Sequence, residues 1–197
     1  MKQFNDYKKE KLTINLLWVN LFGVFIIIPI ILIFGLPYYF FWREDFTISG
    51  LEKLVDNTST GFVISRVLLF FALVILGVII HELLHGIIWS RYTEKGFKSI
   101  KFGILWKMLT PYCHCTEPLK VKHYIFGAAM PAIILGFIPS IISVMIGNLA
   151  MLLFGMIFTI AAIGDFLMIY FLRKENMDNM VEDHPSEVGC YIYRKIK

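Results

Sequence analysis

The residues of this chain best suited to chemistry stand in the order His81-Glu82-Leu83-Leu84-His85. On an α-helix, side chains four apart lie on one face, so both imidazoles can reach a single ion. Glu82, one position along, points about 100° away, towards a water on that ion, where a carboxylate can act as general base. This spacing predicts a zinc hydrolase. Two histidines do not complete the site, because a catalytic zinc usually takes three protein ligands and leaves a fourth position open.

The search for a third ligand turns on depth. Both His81 and Asp165 lie in long apolar runs, where an ionisable residue is expensive and marks function by default. His81 lies eight residues before the end of its run and Asp165 seven before the end of its own. At 1.5 Å per residue both sit about 10–12 Å below the same surface. Ala161 and Ala162, one turn earlier, leave room for close approach, so His81, His85 and Asp165 are the expected ligand set for Zn2+. The rivals are His114, His123, Glu117 and His184. Cys113-His114-Cys115 has metal-like residue types, but neighbouring side chains on a strand point to opposite faces and chelate poorly. His123 abuts an apolar run and suits an interface, and Asp183-His184-Pro185 reads as a turn in a polar tail. His114 is the rival to keep, because its strand could overhang the site.

The elements that must hold these residues are membrane helices. Of 197 residues, 57% are hydrophobic and 17% charged, against roughly 45–50% and 25% in soluble domains. The apolar residues gather into four runs of about the 20 residues a helix needs to cross a bilayer: 16–41, 62–89, 124–146 and 149–172. The first ends in Tyr38-Tyr39-Phe40-Phe41-Trp42, an interfacial aromatic belt, and lacks a small-residue cleavage site. It is expected to be a retained anchor. Gly77 and Gly86 flank the histidines and are expected to admit a neighbouring helix, and the stripe Ala128, Ala132, Gly136, Ser140 fits close helix packing. Between the second and third runs, Ile100, Phe102, Ile104, Trp106 and Met108 alternate with Ser99, Lys101, Gly103 and Lys107. Period two predicts a strand, and Thr110-Pro111 turns the chain into a returning strand, giving a hairpin at about 98–116. The expected fold class is thus an all-α polytopic membrane protein with one small β-hairpin, a single domain over 1–197 ending in a polar tail, 173–197.

Charge sets the orientation. The N-terminal stretch, the connection after the second run and the tail carry sixteen Lys and Arg, whereas the first loop carries two, Arg43 and Lys53. Both termini and the hairpin are therefore expected on the cytoplasmic side of a bacterial plasma membrane. The net charge of +4 comes from residues flanking apolar runs rather than from a basic face with interleaved aromatics, which speaks against nucleic acid. Three cysteines, with Cys113 and Cys115 too close for an easy mutual bridge, do not make a disulfide framework.

These features together resemble the bacterial membrane family called putative zincin peptidases, relatives of the site-2 proteases. The resemblance covers most of the chain after the first run. It includes Phe102-Gly103-Ile104, Tyr112-Cys113-His114-Cys115 with Glu117-Pro118-Leu119, Ala129-Met130-Pro131, Gly164-Asp165, and Asp183-His184-Pro185-Ser186 with Gly189-Cys190. It implies a zinc-dependent intramembrane peptidase with His81, His85 and Asp165 as ligands and Glu82 as the catalytic group, acting on a membrane-embedded or membrane-adjacent protein or peptide. The chain departs from site-2 proteases where they carry Asn three residues before the helix proline, here Ala128, and where they follow the ligand Asp with Gly, here Phe166. A different class, a metal transporter or silent scaffold binding transmembrane partners, would use the same metal ligands without needing Glu82.

Overall fold

The computed structural model describes residues 7–13, 16–47, 59–106, 110–184 and 189–196. Its helices follow the apolar runs. Helix α1, Leu16–Ile30, continues through a π-helical turn at Ile31–Gly35 into α2, Leu36–Phe41. Helix α3 is the long continuous element, Thr60–Ser90. Helix α4, Val121–Pro131, passes through a second π-helical turn, Ala132–Phe137, into α5, Ile138–Ile146. Each π turn lies between two prolines, Pro29 and Pro37 or Pro131 and Pro139. Each of those rings lacks an N–H and crowds the carbonyl four residues back, so the regular ladder widens there. Helix α6, Leu149–Ala161, and α7, Ile163–Leu172, form a bent pair broken at Ala162.

Among the described residues three helices are long and apolar enough to cross a membrane, Gly23–Phe41, Thr60–Ser90 and Val121–Ile146, or up to four if α6 and α7 count as one bent span. Val24, Phe25, Leu68, Ile75 and Met145 on these helices are exposed. An apolar outer surface of this kind suits lipid as its solvent.

The chain is not all-α. Among the described residues there are six strands where the sequence pointed to two. Strands β2, Ile100–Leu105, and β3, Thr110–Cys115, pair antiparallel, with Ile100 opposite Cys115 and Leu105 opposite Thr110. The others are β1, Tyr7–Thr13; β4, Leu119–Lys120; β5, Met180–Asp183; and β6, Gly189–Lys195. They form one antiparallel sheet in the order β1-β6-β5-β4. The tail is therefore structured, and its partner is the other end of the chain: Tyr7 lies opposite Lys195 and Thr13 opposite Gly189. Pairing over so long a separation leaves no local turn signal to read.

By their contacts the residues fall into two units. The first comprises described residues of 1–23, 80–131 and 162–197. Its core packs Trp89, Leu119, Val121, Tyr124, Leu172, Val181 and Ile192. Tail carbonyls cap the start of α4, since Val121 N–H donates to Asn179 O and Lys122 N–H to Met177 O, at 2.9 and 3.2 Å. The second unit comprises described residues of 24–79 and 132–161. Its core is Ile30, Phe34, Tyr38 and Leu152. Here Gly136 and Gly155 lie against Thr159 and Ser140, and Gly77 lies against Phe158, so small residues do admit neighbouring helices. Helix α5 stops at Gly147, whose φ of 72° suits glycine. Asn148 then opens α6 by accepting Met151 N–H at 2.9 Å.

Candidate metal centre

His81 and His85 stand one turn apart on α3, and their rings meet edge to face with centroids 5.0 Å apart. Asp165 reaches them from the first turn of α7. One of its oxygens lies 3.3 Å from His81 Nε2 and the other 3.3 Å from His85 Nε2. One ligand atom from each of the three residues falls within 4.8 Å of the others, and among the described residues this is the cluster of its kind. All three belong to the first unit.

The chemistry of the donor set fits a cation. His85 Nδ1 lies 3.0 Å from the Gly127 carbonyl, which can only accept, so Nδ1 carries the proton. In the neutral ring Nε2 is then bare and faces a carboxylate oxygen, two electron pairs turned towards one point. A metal-binding histidine characteristically donates its other ring N–H to a carbonyl or carboxylate in this way. Two imidazoles and one carboxylate suit zinc and leave room for a fourth ligand.

Glu82 turns to the hairpin, with the Cys113 N–H of β3 the backbone donor beside its carboxylate. The pairing of β2 and β3 accounts for that contact. Thr116 N–H donates to Ser99 O at 2.8 Å, so odd positions of β2 bond to even positions of β3. The N–H groups of Cys113 and Cys115 therefore point away from β2. Cys115 N–H donates to Asp183 at 2.9 Å, and Pro111, the remaining outward position, has no N–H. No outward N–H of β3 is thus left facing open space. Among the described strands none pairs with the other edge of the hairpin, that of β2, at Phe102 and Ile104.

Gly86 is approached by this hairpin and not by a helix, as the small residue alone had suggested. A Cβ there would meet Phe102 and Ile100. His114 stands away from the cluster, with Nδ1 3.8 Å from Asp183 Oδ2. His123 stacks on Tyr92 at 3.8 Å. His184 donates its backbone N–H to Gly189 O at 3.0 Å, closing the turn between β5 and β6. Glu117 accepts from Glu94 N–H, Lys95 N–H and the Ser99 hydroxyl. These donors hold its carboxyl below the ordinary carboxylate value, the Ser99 hydroxyl most of all. Burial pushes the Cys115 and Cys190 thiols up to about 12, so both stay protonated at neutral pH.

Three supporting residues, Trp89, Tyr124 and Gly127, escaped the sequence reading, and a fourth, Asp183, was read there as part of a turn in the tail. The Trp89 ring stacks on His85 on one side and on Tyr124 on the other, at 5.0 and 5.1 Å. Its indole N–H donates to Tyr124 O at 3.1 Å, and Gly127 leaves the space the indole fills. The Tyr124 hydroxyl donates to Asp183 at 2.7 Å. A signal for Trp89 was present, since 81, 85 and 89 lie on one helical stripe. Nothing in the sequence separates Gly127 from the other glycines.

Residues 74–179 match the family described as Putative zincin peptidase, more than half of the chain and all of the cluster above. No curated protein and no solved structure matches it.

Proposed function

The chain belongs to the putative zincin peptidase family, and from that premise we propose that it is an intramembrane zinc metallopeptidase cutting a membrane-embedded or membrane-adjacent protein. The observation that carries this reading is the convergence of His81, His85 and Asp165 on one point, with Glu82 beside them on the same helix. In this reading His81, His85 and Asp165 hold the zinc, which when bound supplies Lewis acidity towards the scissile carbonyl and the attacking water. The remaining work belongs to the protein. Glu82 takes a proton from the attacking water at its carboxylate and returns it to the leaving amine. The Cys113 N–H steadies that carboxylate in the orientation the transfer needs. Asp165 balances the charge of the ion, and the Gly127 carbonyl keeps His85 in the tautomer that binds it.

A regular substrate helix hides its carbonyls, so the segment to be cut must unwind. An extended segment can pair with an open strand edge, and among the described strands the edge without a partner is that of β2, whose Phe102 and Ile104 side chains are exposed.

Four crossings with both termini cytoplasmic complete the reading. Strands joined in one sheet lie on one side of a membrane. Strand β1 precedes the first apolar helix, β4 lies between the second and third, and β5 and β6 follow the bent pair. An even number of crossings must then separate each from the next, which supports counting the bent pair as a span. The abundance of Lys and Arg on that side favours the cytoplasm.

The test is quantitative proteomics of membranes from cells carrying the wild type or Glu82→Gln. Uncut substrates should accumulate in the variant. Identical profiles, with zinc retained by Glu82→Gln, would favour a transporter or scaffold, which has no use for that carboxylate.

A further inference from the structure

Asp183 belongs to the tail strand β5, yet its carboxylate does no work within its own sheet. It is nearly buried, its side chain 11% exposed. One oxygen accepts the Tyr124 hydroxyl from α4, and the other accepts Cys115 N–H from β3, with His114 Nδ1 at 3.8 Å from the latter. Removing a carboxylate from water costs several kcal/mol unless its partners are well placed. A tail that merely needed to pack could use an apolar residue at this position.

What the carboxylate achieves follows from the register of β3. Its outward positions are 111, 113 and 115, of which Pro111 offers no donor. Asp183 takes the donor at 115 at 2.9 Å, and the donor at 113, on the same outward edge, faces the Glu82 carboxylate. Two residues along a strand span about 7 Å of stiff backbone, so fixing one outward N–H fixes the other. The opposite face of the same carboxylate is tied, through Tyr124, to the ring that stacks on Trp89 and thus to the turn of α3 that carries His85. Strand β3 is therefore referenced to the same helix that bears Glu82.

We propose that Asp183 is a positioning residue for Glu82: by holding Cys115 N–H and the Tyr124 hydroxyl together, it sets the edge of β3 so that Cys113 N–H lies on the Glu82 carboxylate. The proposal rests on the reading of Glu82 as proton carrier, but its geometry can be tested without any substrate.

The chain has three cysteines, so protein labelled with ¹⁵N-cysteine shows three backbone amides of that type, Cys113, Cys115 and Cys190. Exchange of these amides with deuterated water is measured by NMR for the full zinc-loaded chain in detergent. Asp183→Ala should speed exchange at both Cys115 and Cys113 by about tenfold or more. Cys190 lies opposite position 183 in a pair that exchanges no backbone hydrogen bond, since His184 N–H donates to Gly189 O; its own N–H faces β1, where Leu12 lies opposite, and should stay protected. Glu82→Ala should release Cys113 and leave Cys115 protected. Asp183→Asn, whose carbonyl still accepts from Cys115 while Tyr124 turns to accept its amide, should restore protection at both. Asp183→Ser, too short to reach Cys115, replaces the alanine variant should that one fail to accumulate, with the same expectations. Release of Cys115 with Cys113 unchanged would overturn the proposal, and so would release of all three amides together, which would mean that the tail sheet had simply come apart. If the amides behave as expected but Glu82→Gln leaves the membrane proteome unchanged, the positioning role stands and the peptidase reading falls.

Discussion

Two bare or polarised imidazole nitrogens turned towards a carboxylate, inside apolar helices, are held in place at a cost that a bound cation offsets. Two of the three residues alone would hold zinc poorly. Purified wild type should therefore carry about one zinc per chain, and His81→Ala, His85→Ala and Asp165→Ala should each lose most of it at limiting zinc. Glu82→Gln and His114→Ala should keep theirs, since neither side chain stands in the cluster. Elemental analysis of these proteins decides it, and full zinc in Asp165→Ala would remove that residue from the ligand set. Gly127 provides a second measurement. Alanine there would drive its Cβ into the Trp89 indole, costing about 1–3 kcal/mol of stability. It would also disturb the carbonyl that holds His85, weakening zinc binding by about 10–100-fold in competition with a coloured chelator. The residues of the candidate cluster were legible because ionisable groups stand out in apolar runs. The residues that orient them were not, because a backbone carbonyl and a glycine carry no chemical label, and what they do depends on which helix lies opposite.

At the scale of elements, the hairpin owes its place to a clamp at its base. The Glu117 carboxylate collects Glu94 N–H at 2.7 Å, Lys95 N–H at 3.3 Å and the Ser99 hydroxyl at 2.6 Å, closing the turn that follows α3. Glu117→Ala should lower stability by about 1 kcal/mol, the usual worth of a side chain that caps free backbone donors. The folded protein holds this carboxyl below its ordinary value, so its contribution is fully present above the unfolded value and is lost as pH falls through the folded one. The difference in melting temperature between wild type and Glu117→Ala should accordingly be full at neutral pH and shrink below about pH 4. The helices could be read from the length of apolar runs and strand β2 from its alternation, because each is decided by its own residues. Strands β1 and β6 could not. In β6, Cys190, Ile192 and Tyr193 are all buried, which breaks the alternation that marks a half-buried strand. Arg194 is fixed from outside the strand, by Glu10 and Glu175.

The whole molecule is constrained by the sheet that gathers its two ends. Residues 7–13 and 189–195 pair across nearly the full length of the chain, and the short strand at Leu119–Lys120 joins the same sheet from the middle of the sequence. A membrane cannot pass between hydrogen-bonded strands, because the backbone groups on either side would lose their partners in hydrocarbon. In the proposed four-crossing reading, the ends of the chain and the connection between α3 and α4 share one compartment, and Gly147-Asn148, which joins the third apolar helix to the bent pair, lies in the other. In that reading the basic residues favour the cytoplasm for the shared compartment: Lys8, Lys9, Lys11, Lys120, Lys122, Arg194 and Lys195 all stand on that sheet or beside it, whereas the connection Gly147-Asn148 itself carries none. Single cysteines at Lys8, Lys120, Ile196 and Asn148, introduced after replacing Cys113, Cys115 and Cys190 by alanine, test this in intact cells with a membrane-impermeant maleimide. Asn148→Cys should label from outside, and the other three only after the membrane is opened. Labelling of Ile196→Cys from outside while Lys8→Cys stays protected would put the termini on opposite sides, leaving three crossings and no sheet between β1 and β6.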